Sequence, residues 1–263
     1  MPELPEVETI RRDLEPQVVG RCIRAIEKDE KRYPGVEGAI EKKIEGVGRR
    51  GKYLLFDLDE LELVMHLGMT GRIGISEEKP LLRHIRALFK LDDGKNLFFN
   101  DPRRFGKIFL VEKGDYRSMP TLNEMGPEPF SDDFLLFPFS RAVAKASCIK
   151  PLLLSQKVVA GLGNIYADEA LFLARIHPEQ GKLGEEESKR LFFAIKEVLA
   201  KGIENRGTTL RDYRDGKGEF GDNQNFLSVF GKEDQACPAC GSIILKCRVG
   251  GRGTHFCPSC QKK

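Results

Sequence analysis

The sequence predicts an α+β protein with an N-terminal helix, a strand-rich region, a helical region and a small metal-binding unit at its end. Three observations lead to this prediction: short alternating apolar segments over residues 52–113, apolar residues at helical spacing over residues 141–205, and two Cys-x2-Cys pairs in the last 27 residues. We accordingly expect three domains, at residues 1–130, 131–231 and 232–263.

The chain opens MPELPEVET, and most of this stretch is typical of a helix start. Pro5 suits the first helical turn, where a missing N–H is no loss, and the acids that follow favour the positive end of the helix dipole. Helix formation does not explain Pro2 and Glu3. If Met1 is removed, Pro2 gains a free secondary amine that could attack a carbonyl carbon, with Glu3 as a neighbouring acid. Many proteins begin Met-Pro, so other residues have to decide between the two interpretations.

The strand-rich region consists of short segments separated by turn residues such as Asp92-Asp93-Gly94. Many short strands at this spacing predict a sandwich or a barrel. The sequence Gly126-Pro127-Glu128-Pro129 then interrupts the pattern, which favours a domain boundary near residue 130. The predicted strands are KYLLFDL, ELVMHL, RIGIS, HIRALFKL, KNLFFN and KIFLVEK.

The helical region contains four segments with apolar residues at i, i+3 and i+4. They predict helices over residues 141–147, 150–156, 164–176 and 185–205. Asn164 follows the glycines of VVAGLGN, so we expect it to cap a helix where backbone N–H groups could bind an anion. The polar, glycine-rich stretch over residues 208–231 predicts a long loop of a kind that often carries function.

Two Cys-x2-Cys pairs stand 16 residues apart near the end of the chain. They predict one structural Zn²⁺ bound by Cys237, Cys240, Cys257 and Cys260. Four thiolates leave no ligand position for water, so the metal would be structural; two incidental cysteine pairs are the alternative. Between the pairs, KCRVGGRGTHF predicts a hairpin that could bring Arg252 to a phosphate or leave it solvated.

Charge and hydropathy exclude some classes of protein. The last 32 residues carry six basic and two acidic side chains within an overall charge of +3, so positive charge concentrates in a segment that could contact phosphate or remain solvated. No apolar run approaches the ~20 residues of a membrane span, and no export signal precedes the first helix. We therefore expect a cytoplasmic protein without a membrane partner, whose seven cysteines form no disulfide framework.

Three separated stretches closely resemble the bacterial formamidopyrimidine-DNA glycosylases: MPELPEVETIRRDL, LLSQKVVAGLGNIYADEALF and GRGTHFCPSCQ. The stretches RRGKYLLF, HLGMTGR, NDPRRFGK and TTLRDYRD lie between them in the family's order, so the resemblance spans the chain. It implies an N-terminal β-sandwich, a helix–two-turn–helix domain and a zinc finger. It also implies a monomeric enzyme that excises 8-oxoguanine and formamidopyrimidines from damaged double-stranded DNA and cleaves the strand by β,δ-elimination.

The resemblance implies catalytic roles for residues of the first domain. Pro2 would attack C1′ of the damaged nucleotide and form a Schiff base, and Glu3 would protonate the sugar ring oxygen. Glu6 would be a supporting acid, although a partner of the helix dipole explains it equally well. Lys52 would contact the phosphate next to the lesion.

The resemblance implies DNA contacts as well. The predicted phosphate ligands are His66, Asn164 and Arg252. The residues expected to fill the gap left by an extruded nucleotide are Met69, Arg103 and Phe105. Lys150 would support DNA binding, Glu169 would have a supporting role, and the loop from Thr208 to Gln224 would close over the extruded base.

Two alternatives remain open at this point. The endonuclease VIII branch shares the Pro2 chemistry but prefers oxidised pyrimidines. A zinc-containing DNA-binding module without catalysis would need neither Pro2 nor Glu3. The opening PELPEVE and the three gap-filling residues favour the purine-specific enzyme.

Overall fold

The computed structural model describes residues 2–263, which form two compact units. The first unit comprises the described residues up to Asn123 together with Ile203–Gln224, and the second comprises Glu124–Gly202 and Asn225–Lys263. The domain boundaries at residues 130 and 231 stay a prediction. Removal of Met1, which the Pro2 chemistry requires, lies outside the described residues.

The first unit is a β-sandwich with one helix, α1 (Leu4–Val18), at its beginning. Its two antiparallel sheets have the strand orders β1-β6-β7-β5 and β2-β3-β4-β8, and the short helix α2 (Pro120–Asn123) follows them. The strands are β1 (Ile23–Lys28), β2 (Gly46–Arg50), β3 (Tyr53–Leu58), β4 (Leu61–His66), β5 (Arg72–Ser76), β6 (Ile85–Leu91), β7 (Asn96–Asn100) and β8 (Lys107–Glu112).

All six predicted strands are present, but β1 and β2 were not predicted. The sequence of β2, GVGRR, holds two glycines and one apolar side chain, so it lacks the alternation that marks a strand. Pairing with β3 over five residues, rather than local propensity, makes this segment a strand.

A single apolar core joins α1 to both sheets. Val7, Ile10 and Leu14 recur at helical spacing and are fully buried. They belong to one cluster with Phe56 of β3 and Phe99 of β7. This packing fixes α1 on the sandwich and thereby fixes its N-terminal end, where Pro2 and Glu3 lie.

The second unit is helical and ends in a small hairpin. Its helices are α3 (Leu136–Val143), α4 (Ile149–Leu154), α5 (Asn164–Leu173) and α6 (Glu185–Glu204). The helix predicted over residues 141–147 was wrong in position, because α3 begins at Leu136. Pro138 is tolerated in the first turn of α3, and Phe139 and Val143 bury its apolar face.

The terminal hairpin pairs β9 (Leu245–Val249) with β10 (Arg252–Phe256). Gly250 and Gly251 both have positive φ, +56° and +77°, as a two-residue turn of type I′ requires. The hairpin predicted to turn at these glycines is therefore confirmed. Across residues 2–263, the chain forms no helix with the length and apolar character to span a membrane.

Candidate functional site

Pro2 and Glu3 lie at the N-terminal end of α1, and both are buried. Glu6 fixes the backbone beside them, because its Oε2 accepts a hydrogen bond from the Glu3 N–H at 2.7 Å. The Glu6 Oε1 accepts a second one from the Thr208 N–H, also at 2.7 Å. Glu6 is fully buried, so its carboxylate joins the start of α1 to the loop over residues 208–224 instead of serving only as a dipole partner.

The backbone before this loop can approach Glu6 only because residue 207 is glycine. Gly207 has φ of +83°, and a Cβ there would lie 2.9 Å from the Glu6 Cγ. The hydroxyl of Tyr213 donates to the Arg206 carbonyl at 3.1 Å. Burial raises the pKa of Tyr213, so this hydroxyl remains a donor.

The base of the loop is held by a charge cluster whose two carboxylates, Asp13 and Asp215, are buried. Arg206 Nη2 lies 2.6 Å from Asp13 Oδ2 on α1, and Arg206 Nε donates to Asp215 Oδ2 at 3.0 Å. The other Asp215 oxygen accepts the N–H groups of Lys217 at 3.0 Å and Glu219 at 2.8 Å. The loop is therefore folded against α1 within the first unit.

Lys52 and His66 lie close together near the end of β4. Lys52 is in the turn between β2 and β3 and is buried, and His66 pairs with Tyr53 across the sheet. Burial and the nearby Lys52 and Lys107 lower the pKa of His66 to about 4. The Gly68 N–H donates to His66 Nδ1 at 3.2 Å, so the neutral ring carries its proton on Nε2 and can donate it to an oxygen.

Met69, Arg103 and Phe105 project from two loops that touch. Met69 is 41% exposed and Phe105 is 50% exposed. The Arg103 guanidinium lies 4.9 Å from the centroid of the Phe105 ring. A Cβ at Gly68 would lie 2.6 Å from the Phe105 carbonyl carbon, so the two loops are in direct contact.

Asp101 holds these loops together. It is fully buried, and its Oδ1 accepts the Thr70 hydroxyl at 2.8 Å while its Oδ2 accepts the Gly106 N–H at 2.7 Å. Sequence reasoning missed Asp101, as it missed Asp13 and Asp215, because buried acids within polar stretches resemble surface residues. The signal available for Asp101 was its place directly after a predicted strand.

In the second unit, Asn164 is the first residue of α5, and Gly163 precedes it as the N-cap. The expectation that Asn164 caps the helix was therefore wrong. Its amide Nδ2 instead donates to the Gly253 carbonyl of the terminal hairpin at 3.0 Å. Asn164 consequently lies beside Arg252, whose side chain is exposed.

Lys150, which the sequence predicts to contact DNA, lies inside the second unit, and its contact with DNA stays a prediction. It is fully buried, and its Nζ lies 2.5 Å from Asp168 Oδ1. The ammonium also donates to Thr254 Oγ1 at 2.8 Å and to the Gly253 carbonyl at 3.2 Å. One ion pair and two hydrogen bonds therefore hold this buried ammonium inside the second unit. Glu169 likewise acts inside the unit, because its carboxylate accepts the N–H groups of residues 228–230.

The four predicted cysteines form a metal site. Their Sγ atoms all lie within 4.8 Å of one another, with Cys237 and Cys260 at 3.9 Å and Cys240 and Cys257 at 3.5 Å. Tetrahedral zinc with Zn–S bonds of about 2.3 Å separates its sulfur ligands by about 3.8 Å. The donor set and spacing fit one structural Zn²⁺, and no other group of metal ligands occurs in the described chain.

Three family models match the chain. The formamidopyrimidine-DNA glycosylase N-terminal domain matches residues 1–108, and the H2TH domain of the same enzymes matches residues 125–214. The zinc finger found in FPG and IleRS matches residues 234–263. The expected α+β fold, with a β-sandwich, a helix–two-turn–helix domain and a zinc finger, is confirmed.

Known proteins resemble the chain over its whole length. A Deinococcus radiodurans protein named formamidopyrimidine-DNA glycosylase is 49% identical, covering 99% of this chain and 97% of its own. The crystal structure of MutM (Fpg) from Thermus thermophilus has a TM-score of 0.93 and 48% identity, covering 100% of this chain and 99% of its own. MutM in complex with DNA containing carbocyclic 8-oxo-G has a TM-score of 0.91 and 40% identity, covering 100% of both chains. The chain belongs to the formamidopyrimidine-DNA glycosylase family.

Proposed function

We propose that this protein is a DNA repair enzyme that removes oxidised purines from duplex DNA and cleaves the strand at the resulting site. The observation that carries the proposal is Pro2 and Glu3 at the buried end of α1, held by Glu6, in a chain that matches the family along its full length. A binding module without catalysis would need no such arrangement.

The reaction begins at the amine of Pro2 once Met1 has been removed. Its nitrogen attacks C1′ of the damaged nucleotide, the N–C1′ bond forms and the glycosidic bond breaks. Glu3 gives a proton to the sugar ring oxygen, and the ring opens to an iminium. The iminium makes the C2′ proton acidic, and its loss forms the C2′=C3′ double bond and expels the 3′ phosphate. Loss of the C4′ proton from this conjugated iminium then expels the 5′ phosphate.

The nucleotide has to leave the helix before C1′ can be attacked, at a cost of a few kcal/mol. Lys52 and the neutral His66 suit a phosphate contact, the first as a charge and the second as a donor. The resemblance assigns further phosphate contacts to Asn164 and Arg252 of the second unit.

The gap left in the duplex needs three kinds of side chain, and the chain supplies them. Met69 offers a flexible thioether, Arg103 a forked donor for the widowed base, and Phe105 an aromatic wedge. Their exposure and the contact between Arg103 and Phe105 support this assignment. The loop from Thr208 to Gln224 would cover the extruded base.

Zinc bound by the four cysteines stabilises the finger that carries Arg252 and takes no part in the chemistry. The protein would act as a monomer. In a bacterium, it would work in the cytoplasm, associated with the nucleoid while it is bound to DNA.

Borohydride trapping tests this proposal. Protein whose chain is confirmed by mass spectrometry to begin at Pro2 is mixed with an 8-oxoguanine:cytosine duplex and reduced. We expect a stable crosslink that maps to Pro2, and none from a matched chain that retains Met1. A Pro2-starting chain that binds the duplex without crosslinking would overturn amine catalysis. Faster excision of thymine glycol than of 8-oxoguanine would instead identify the endonuclease VIII specificity.

A further inference from the structure

Asp168 of α5 holds two different parts of the second unit. Its side chain is fully buried, and its Oδ1 lies 2.5 Å from Lys150 Nζ of α4. Its Oδ2 accepts the backbone N–H of His255 in β10 at 2.9 Å. The carboxylate is thus bonded directly to the terminal hairpin, 87 positions away in the sequence.

Lys150 extends this connection towards Arg252. Its ammonium donates to the Gly253 carbonyl and to Thr254 Oγ1, and Thr254 Oγ1 donates in turn to the Arg252 carbonyl at 3.0 Å. The Asp168–Lys150 pair therefore forms direct hydrogen bonds to residues 253, 254 and 255. It is connected to residue 252 through the Thr254 hydroxyl.

The turn of the hairpin packs on the same part of the unit. A Cβ at Gly250 would lie 2.7 Å from Pro151 Cγ, which follows Lys150 on α4. Asn164 adds its hydrogen bond to the Gly253 carbonyl. Cys257 follows the other end of β10, so Lys150 and Asn164 hold the strand at Gly253, near the end that the metal does not hold.

The side chain of Arg252 is left outside this network. It is exposed, and no carboxylate of the described residues forms an ion pair with it. The backbone of Arg252 is fixed while its guanidinium remains available, which is the arrangement that a charged ligand at this position needs.

A buried ion pair is weak evidence for a role in stability. Its desolvation penalty can exceed the attraction between the charges, and apolar residues of similar volume are often at least as stabilising. The Asp168–Lys150 pair differs from apolar packing because its hydrogen bonds have directions. These hydrogen bonds fix the position of β10 relative to α4 and α5.

We propose that Asp168 is a positioning residue for DNA binding, which acts by setting the hairpin so that Arg252 meets a backbone phosphate. The proposal rests on the proposed function. It makes Lys150 an intermediary between Asp168 and the hairpin.

A double-mutant cycle tests the proposal. Affinity is measured by fluorescence anisotropy, over a range of salt concentrations, for a duplex with a non-cleavable tetrahydrofuran abasic site. The four proteins are wild type, Asp168→Asn, Arg252→Ala and the double variant. We expect each single substitution to weaken binding about tenfold, the scale of one hydrogen bond to a charged group, and the double variant to bind like Arg252→Ala.

The sign of the expected change separates positioning from bulk electrostatics. Asp168→Asn removes a negative charge, so simple attraction to DNA predicts tighter binding. We expect weaker binding, and a salt dependence reduced by about 0.9 in logarithmic slope, as for the loss of one phosphate contact. Single-turnover excision at saturating protein should stay within about threefold of wild type, because the hairpin acts on binding.

A second variant covers the case in which Asp168→Asn leaves Lys150 buried without a charge partner and unfolds the unit. The double variant Lys150→Met with Asp168→Leu removes both charges together and keeps the volume. Zinc content and thermal melting verify that each protein is folded. The folded apolar pair should show the same tenfold loss of affinity.

Unchanged affinity of a folded, zinc-loaded Asp168 variant overturns the proposal. So does a loss that adds fully to that of Arg252→Ala, because Asp168 would then act elsewhere. Wild-type protein that gives no borohydride crosslink with 8-oxoguanine DNA marks a failure of the proposed function instead, a result the binding cycle does not depend on.

Discussion

The carboxylate of Glu6 accepts the backbone N–H of Thr208 at 2.7 Å across 202 positions of sequence. The same carboxylate accepts the N–H of Glu3, so one side chain fixes both the N-terminal end of α1 and the start of the loop over residues 208–224. A change at Glu6 therefore affects both elements.

Glu6→Gln should impair excision, although glutamine and glutamate have nearly the same size. A glutamine amide has one acceptor oxygen for two buried N–H donors, so one donor is left facing an NH₂ group. We expect a loss of about 1–3 kcal/mol in the free energy of unfolding and a slower single-turnover excision rate. Glu15→Gln, a substitution at a half-exposed carboxylate of the same helix that leaves these two N–H groups paired, is the control. Equal excision rates for both variants would contradict this role for Glu6.

Asp13→Asn should loosen the loop. It weakens the contact with Arg206 and the hydrogen bond that the Gly216 N–H donates at 3.1 Å. We expect limited proteolysis within residues 208–224 to become about five- to thirtyfold faster, as for an opening equilibrium shifted by 1–2 kcal/mol. Asp212→Asn, an exposed position in the same loop, should leave the cleavage rate unchanged; equal acceleration in both would rule out the cluster as the anchor.

His66 predicts how stability depends on pH. Its pKa in the folded protein is about 4, below the ordinary value of 6.5, so the unfolded chain binds more protons between these values. Stability should be highest above pH 6.5 and should fall as the pH drops towards 4, with a contribution of about 2 kcal/mol lost by pH 5. Urea unfolding of wild type and His66→Gln at pH 8 and pH 5 measures this, and the variant should show a smaller difference. An identical difference would assign the effect to other groups.

Phe105→Ala should slow excision and leave the fold intact. Its ring is half exposed, so truncation should change the free energy of unfolding by less than about 0.5 kcal/mol, while the gap in the duplex loses its wedge. Leu81→Ala, at a fully exposed apolar position, is the matched control for both measurements. Wild-type excision by Phe105→Ala would remove this residue from the reaction.

Zinc removal should abolish DNA binding through the finger. We expect one Zn²⁺ per chain, lost in Cys240→Ser or after treatment with a strong chelator, together with a large loss of affinity for DNA. Cys247→Ser should keep the metal, because Cys247 lies outside the four-cysteine cluster. Zinc loss in Cys247→Ser would require a different ligand set.

Local patterns in the sequence predicted those elements whose conformation depends on residues close to one another in the chain. The zinc ligands, the turn at Gly250 and Gly251 and six strands follow from the spacing and type of neighbouring residues. The pattern failed for β2, whose strand conformation comes from pairing with β3, and for α3, which begins at Leu136, before Pro138.

The predicted site residues divide in the same way. The four cysteines could be identified as metal ligands from short motifs, and a motif of the same kind predicts Pro2 and Glu3. The roles of Lys150 and Asn164 could not, because their partners lie in the terminal hairpin, about 90 to 100 positions away. Burial decides whether a lysine meets DNA or an aspartate, and burial of a single side chain is a property of the assembled unit.

The division of the chain into units has a consequence for synthesis on the ribosome. The first unit needs Ile203–Gln224, so it remains incomplete while the whole stretch from Glu124 to Gly202 is being translated. A nascent chain released at Asn123 would carry Pro2 and Glu3 but would lack the Thr208 amide that Glu6 binds. The N-terminal end of α1 is translated first, yet its surroundings are finished only when most of the polypeptide has emerged.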